Sequence, residues 1–383
     1  MPVLICVLAA AFILWVLAGY PLFLAVLTHF FERPFQREFR PRSVSVIVPV
    51  YNGERWIHAK LESILGLDYP RELLQIIVVS DGSTDGTDDL VRQWAPRGVE
   101  LVGAEQGGKA LALNAGMERA HGEILFFTDV RQALEPSSLR RLVECFADPS
   151  IGVASGELVI RKGETAEEAD IGLYWRYEKW IRSRQSRLGS VPGATGSIYA
   201  MRRSLARPLP AGTLNDDMYL PLCALLAGYR IVFEGEAKAY DYPTALGSEF
   251  RRKVRTLAGV YQVIAAFPAL LEPWNGIWIH FISHKAGRLL LPHAMIAIAA
   301  SSFFLPRPWS WGMLAGQAVF YTLAALDPWM TVFGPVKRLS SLARVFVTLM
   351  VAAFLAQSYF FRDTKALWKT TEVKPAAAPR ERK

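Results

Sequence analysis

Between Met1 and Phe31 the chain carries no Asp, Glu, Lys or Arg, and a run of that length suffices for a helix to cross a bilayer. A cleaved leader would show a basic start, a shorter apolar stretch and a small-x-small cleavage site. Here no basic residue precedes the run, and Tyr20, Pro21 and Phe23 stand where small residues would be needed. An uncleaved transmembrane anchor over residues 1–31 is therefore expected. Arg33, Arg37, Arg40 and Arg42 follow at once. Basic flanks stay on the cytoplasmic side, so the N-terminus is expected outside and the rest of the chain inside, at the cell's inner (plasma) membrane.

The far end repeats the pattern. Leu289–Pro306, Pro308–Leu326 and Val345–Phe361 lack charge and are flanked by Arg288, Arg307, Asp327, Arg344 and Arg362. Two or three transmembrane segments are expected over 286–361, giving a multi-pass protein with a basic tail over 362–383. Three crossings would export that tail against the positive-inside bias, so both counts stay open.

With 52% apolar and 20% charged residues, a disordered chain is excluded. Lys plus Arg exceed Asp plus Glu by 43 − 35 = 8. In a membrane-associated chain this excess suits anionic lipid or substrate phosphate, and no nucleic-acid partner is expected. Cys6, Cys145 and Cys223 have no paired spacing, which excludes a disulfide framework and a zinc site.

Residues 41–245 read as a globular α/β domain. β-Branched runs at Val44–Val48, Ile76–Val79 and Ile124–Phe127 alternate with helical patterns at Trp56–Leu65, Asp88–Trp94 and Ala110–Ala120. That alternation predicts a mostly parallel sheet covered by helices. Within 166–188, Tyr174, Trp175, Tyr177 and Trp180 interleave with Arg176, Lys179, Arg182, Arg184 and Arg187. The mixture suits an interfacial helix, with an ordinary surface helix as the alternative. Leu257–His284 is again apolar but broken by Gly259, Gln262, Pro268 and Pro273, so residues 246–285 also read as interfacial, with His280 and His284 as hydrogen-bonding groups there.

In open α/β sheets ligands bind beyond the C-terminal strand ends, and three ends here carry polar residues. They are Pro49-Val50-Tyr51-Asn52-Gly53-Glu54, Ser80-Asp81-Gly82-Ser83-Thr84-Asp85-Gly86-Thr87 and Thr128-Asp129-Val130-Arg131. Acidic, glycine-containing loops can accept hydrogen bonds from a base or ribose and let backbone approach closely. For Asp81–Thr87 taken alone, a turn leading to a helix cap at Thr87 or Asp88 competes. Gly107-Gly108-Lys109 is not a P-loop, since no Ser or Thr follows the Lys, but it sets one Lys at a helix start suited to phosphate.

Taken in order with Gly108-Lys109-Ala110-Leu111-Ala112-Leu113-Asn114, these segments resemble family 2 glycosyltransferases of GT-A fold. The similarity is greatest to the membrane-embedded β-glycan synthases, which include poly-N-acetylglucosamine, chitin-oligosaccharide, hyaluronan and cellulose synthases. It implies a GT-A nucleotide-sugar-binding domain with transmembrane and interfacial helices. Pro49, Tyr51 and Glu54 would line the nucleotide pocket, Asp81 would accept from a uracil ring, and Lys109 would lie at the nucleotide. Asp129 matches the first carboxylate of the metal-holding DxD motif. Gly193-Ala194-Thr195-Gly196, followed by Tyr199, resembles the loop closing over donor and acceptor. Asp216 and Asp217 match the acidic pair whose second member is the general base. Arg252 and Arg255 fall where many members carry Gln-x-x-Arg-Trp.

Two departures stand out: Arg131 occupies the third DxD position, and Thr256 replaces the motif's Trp, which leaves processivity open. Arg131 is expected to do part of the work of a Mg²⁺ or Mn²⁺ ion, which would then bind weakly; the alternative is that it points away and pairs with Glu135 or another surface acid. For Asp217, a helix-cap role is the alternative. The activity implied is inverting transfer from a nucleotide-diphosphate sugar, foremost a UDP-sugar, to a growing polysaccharide or lipid-linked acceptor. Single-sugar transfer to a polyprenyl-phosphate carrier and a catalytically silent subunit of a synthase complex are the alternatives. Sugar, acceptor and any export or synthase-complex subunits stay unspecified.

Overall fold

The computed structural model describes residues 1–160, 166–242, 246–330 and 334–361, with side chains from 166–175 and 246–248 set aside. The expected tail over 362–383 and the side chains of Tyr174 and Trp175 lie outside the described residues.

Pro2–Leu14 (α1), a π-helical turn at Trp15–Gly19 and Tyr20–Phe30 (α2) form one helical run long and apolar enough to cross a membrane. Leu4, Val7, Leu8, Leu14, Leu17 and Leu22 are exposed along it. Apolar surface left open on this scale favours hydrocarbon over water.

The sheet begins at Val44–Val50 (β1), whose seven residues are all buried, as expected of a strand covered on both faces. Glu54–Leu65 (α3) leads to Leu74–Asp81 (β2), and Thr87–Arg92 (α4) to Val99–Ala104 (β3). Lys109–Arg119 (α5) precedes Ile124–Phe127 (β4), then Ala133–Leu134 (β5), Ser138–Glu144 (α6) and Ile151–Ile160 (β6). After Ala166–Leu188 (α7) come Tyr199–Arg202 (β7), Asp216–Leu226 (α8) and Arg230–Asp241 (β8). The order across the sheet is β3-β2-β1-β4-β7-β6-β8-β5. β1 pairs in parallel with β2 on one side (Val44 opposite Leu74) and with β4 on the other (Val44 opposite Ile124), and β4 pairs antiparallel with β7. One apolar layer, including Ile57, Leu61, Ile64, Phe126 and Phe146, covers one face. The other, including Ile47, Val79, Leu113, Phe127 and Tyr199, covers the opposite face.

Leu27–Arg161 and Glu178–Tyr242 make up this α/β unit; the described residues outside it form a second, helical unit. In the latter, Leu246–Ala266 (α9) is followed by Trp278–His280 (α10), a π turn at Phe281–Ala286 and Gly287–Ser302 (α11). Trp309–Leu326 (α12) and Pro335–Leu355 (α13) follow. Pro335–Phe361 is the second helix, among the described residues, long and apolar enough to cross a membrane. His280 and His284 are buried: Tyr20 shares a 3.0 Å hydroxyl–Nδ1 hydrogen bond with His280, and Trp15 Nε1 donates to Ser283 Oγ at 3.0 Å.

Candidate active site

The first two polar strand ends interlock. Asn52 sits in the left-handed region (φ 49°), which Asn tolerates better than most residues. Its amide donates to Ser83 Oγ at 3.1 Å, and its Oδ1 accepts from the Thr84 amide at 2.8 Å. The Gly53 amide donates to Thr87 Oγ1 at 2.8 Å, the Glu54 amide to Asp85 Oδ2 at 3.1 Å, and the Gly86 amide to Glu54 Oε2 at 3.1 Å. Pro49 is buried beneath these loops and Tyr51 is exposed. α4 starts at Thr87 after Gly86, with no side-chain cap. Asp81, at the end of β2, accepts from the Gly107 amide at 2.8 Å and the Gly108 amide at 3.0 Å. That ties the glycine turn to β2 and starts α5 at Lys109.

Lys109 Nζ then reaches two carboxylates, Asp129 Oδ1 at 2.9 Å and Asp216 Oδ2 at 3.1 Å. Burial acts to lower its pKa, but Asp129 and Asp216 outweigh burial and raise it well above the ordinary lysine value. One ammonium thus joins the end of β4 to the start of α8.

Asp217 is not a cap. Asn215 precedes the first helical residue, Asp216, and makes no side-chain cap bond. Asp217 Oδ2 accepts instead from the Gly196 amide at 3.1 Å, while its main-chain oxygen accepts from the Ala194 amide at 2.7 Å. A Cβ on Gly193 would stand 2.8 Å from Met218 Cγ, and φ there is +140°, so this close approach needs glycine. Arg182 in α7 holds the same loop, donating to Thr195 Oγ1 at 2.6 Å and Ser155 Oγ at 2.8 Å. From the other flank Lys60, buried in α3, donates to Thr128 Oγ1 at 2.5 Å and the Gln132 carbonyl at 2.7 Å. Thr128 in turn donates to the Ser197 carbonyl at 2.8 Å. Burial pulls the Lys60 pKa down to about 7, with the Asp129 charge opposing. Burial pushes the Tyr199 phenol well above its usual range, and Asp216, Asp217 and Asp129 add to that, so the hydroxyl stays neutral.

Sequence reasoning missed Lys60, and it named Arg182 and Thr128 only within an interfacial helix and a polar strand end, not as groups that hold the site. Lys60 was hidden in an amphipathic helix where a lysine reads as solvated, and its only signal is that it falls on the apolar side with Ile57, Leu61 and Ile64.

Arg131 pairs with an acid, but neither with Glu135 nor with a surface acid: its partner is the buried Asp241. Its Nε and Nη2 fork onto Asp241 at 3.0 and 2.5 Å, and Gln132 Nε2 adds a bond at 2.9 Å. Asp241 ends β8 with its side chain 3% exposed, and a planar guanidinium matches such a carboxylate. Glu135 accepts from the Tyr240 hydroxyl instead. Removing one partner of a buried pair strands the other charge. Arg131→Met should therefore cost about 3 kcal/mol of stability. Thermal unfolding should show Arg131→Met/Asp241→Asn recovering most of that loss. Equal melting of wild type and Arg131→Met would show the pair to be energetically idle.

Arg252 and Arg255 lie on α9 of the helical unit, where Arg252 forks onto Glu249 at 2.9 and 2.8 Å.

Comparison with known proteins fits this arrangement. Residues 45–209 match Glycosyl transferase family 2. Glycosyltransferase AglE of Haloferax volcanii is 34% identical over 230 residues, 57% of this chain and 73% of AglE. Probable glycosyltransferase YdaM of Bacillus subtilis is 27% identical, over 67% of this chain and 66% of its own length. Poly-β-1,6-N-acetyl-D-glucosamine synthase of Staphylococcus epidermidis is 25% identical, over 64% of this chain and 65% of its own. The chain thus spans just under two thirds of the length of these last two relatives. Among solved structures, the mannosyltransferase PcManGT of Pyrobaculum calidifontis, in complex with GDP-Man and Mn²⁺, superposes with a TM-score of 0.72. That likeness covers 93% of this chain and 99% of the other at 24% identity, and it shows the fold. From its sheet, its acidic strand ends and these relatives together, the chain belongs to glycosyl transferase family 2 and has the GT-A fold.

Proposed function

We propose that the chain is a membrane-bound inverting glycosyltransferase. It moves a sugar from a nucleotide-diphosphate donor to a hydroxyl of a growing polysaccharide or lipid-linked acceptor. The observation that carries this reading is the convergence of Asp129, Asp216 and Lys109, with Asp217 beside them, at the ends of parallel strands whose neighbours diverge on either side of β1. Such a switch point is where open sheets bind ligands.

In one displacement the acceptor oxygen bonds to the anomeric carbon, the bond from that carbon to the diphosphate breaks, and Asp217 takes the hydroxyl proton. A single displacement inverts the anomeric configuration. Pro49, Tyr51, Glu54 and Asp81 would frame the nucleotide, and Lys109 would meet its diphosphate. On resemblance alone, Arg255 would stabilise the leaving diphosphate. For a Mg²⁺ or Mn²⁺ ion the protein would offer one hard oxygen ligand, Asp129, which Lys109 also engages at 2.9 Å. The described residues hold no group of three or more metal ligands, so the donor diphosphate would have to supply most of the coordination. Such a cation supplies charge stabilisation for the departing diphosphate.

The full-length likeness to a GDP-Man-bound mannosyltransferase favours a second reading, single mannosyl transfer from GDP-Man. Purified protein in lipid, offered UDP- and GDP-sugars with and without chelator, separates the two by which nucleotide diphosphate is released. Release of neither would sink both.

The apolar helices Pro2–Phe30 and Pro335–Phe361 support a multi-pass protein of the inner membrane. With the arginines after Phe31 held inside, a reporter fused after Pro41 should behave as cytoplasmic. An exported reporter would reverse the orientation.

A further inference from the structure

α8 contains a proline, Pro221, in its interior. Proline has no N–H, and its ring pushes against the carbonyl four residues earlier. That carbonyl belongs to Asp217. It does not go unpaired: it accepts the Ala194 amide at 2.7 Å. The loop therefore docks on a single residue through two amides, Ala194 onto the main-chain oxygen and Gly196 onto Oδ2. Gly193 comes so close that a Cβ there would stand 3.4 Å from the Asp217 oxygen as well as 2.8 Å from Met218 Cγ.

We infer that Pro221 is a positioning residue. By vacating the Asp217 carbonyl it lets the 193–197 loop seat on the start of α8, and this fixes the direction of the Asp217 carboxylate. An ordinary residue at 221 would offer its own N–H to that carbonyl, as in any α-helix, and compete with Ala194 for it. The inference rests on the reading of Asp217 as the base.

The test restores the amide in two ways. Pro221→Ala suits a helix, and Pro221→Val keeps more of the buried volume. Neither should hinder folding, since proline is the least favourable residue in a helix interior. A merely structural proline would thus leave turnover intact. The expected result is a kcat lowered about tenfold in both variants, since small misplacements of reacting groups are costly. Donor KM and the melting temperature should stay close to the wild-type values. Hydrogen exchange of the Ala194 amide should quicken about tenfold as its bond opens. Unchanged kcat, or unchanged Ala194 protection, overturns the inference. Asp217→Asn is assayed alongside. If that variant is inactive while the Pro221 variants turn over normally, only the role of Pro221 falls. If Asp217→Asn still transfers sugar, the base assignment falls, and the inference with it.

Discussion

Asp217→Asn should lower glycosyl transfer by about two to four orders of magnitude while nucleotide binding persists. The amide cannot take the acceptor proton, yet it keeps the shape of the carboxylate and an oxygen able to accept the Gly196 amide. The loop and α8 should therefore stay in place, and loss of turnover can be assigned to proton transfer. Transfer rates and nucleotide affinity measured on the same preparation give the answer. A variant retaining more than roughly a tenth of the wild-type rate would remove Asp217 from the role, since a positioned base is worth at least about 10²-fold.

Lys109→Met should be as damaging for a different reason. The ammonium lies between Asp129 and Asp216, and Asp216 is buried with only 7% of its side chain exposed. Without the lysine, two carboxylates face each other with no shared cation. The donor diphosphate would also meet net negative charge. Preorganised charges of this sort are worth about 10²–10³-fold in turnover, so kcat/KM should fall by at least that much. The fold should lose about 3 kcal/mol as well, the usual result of stranding one member of a buried pair. Lys109→Arg should not rescue it, because a guanidinium fork cannot occupy the point where one nitrogen serves two acids. Transfer within about tenfold of wild type would show that the ion pairs are not used in catalysis.

How far the sequence could be read followed from how local each signal was. β1, β2 and β4 were legible because strands buried on both faces carry mostly apolar, β-branched runs, with only Ser45 breaking Val44–Val48, and the helices between them showed a clear period. β3 was hidden, since Val99-Glu100-Leu101-Val102-Gly103 is short and mixes charge with glycine. β6, β7 and β8 pair over long sequence distances and include bulged register at Ser155/Glu157, which no local pattern reports. At the site, Lys109, Asp129 and Asp216 could be named individually from motifs, but not that one lysine joins the two acids. The Arg131–Asp241 pair was half legible: the unusual arginine was visible, whereas its partner lies 110 residues away at the end of another strand. Lys60 looked like any surface lysine.

The five hydrogen bonds that staple the 51–54 and 81–87 loops together also have a thermodynamic consequence. Main-chain freedom in those loops is already surrendered when the chain folds, so a nucleotide arriving there need not order them. Each residue left to be fixed on binding would cost about 1–2 kcal/mol of conformational entropy. With that cost met in advance, the free nucleoside diphosphate should keep a large share of the whole donor's affinity. The released product would then be a strong competitor of its own precursor, and clearance of spent nucleotide, more than supply of sugar, would set the pace.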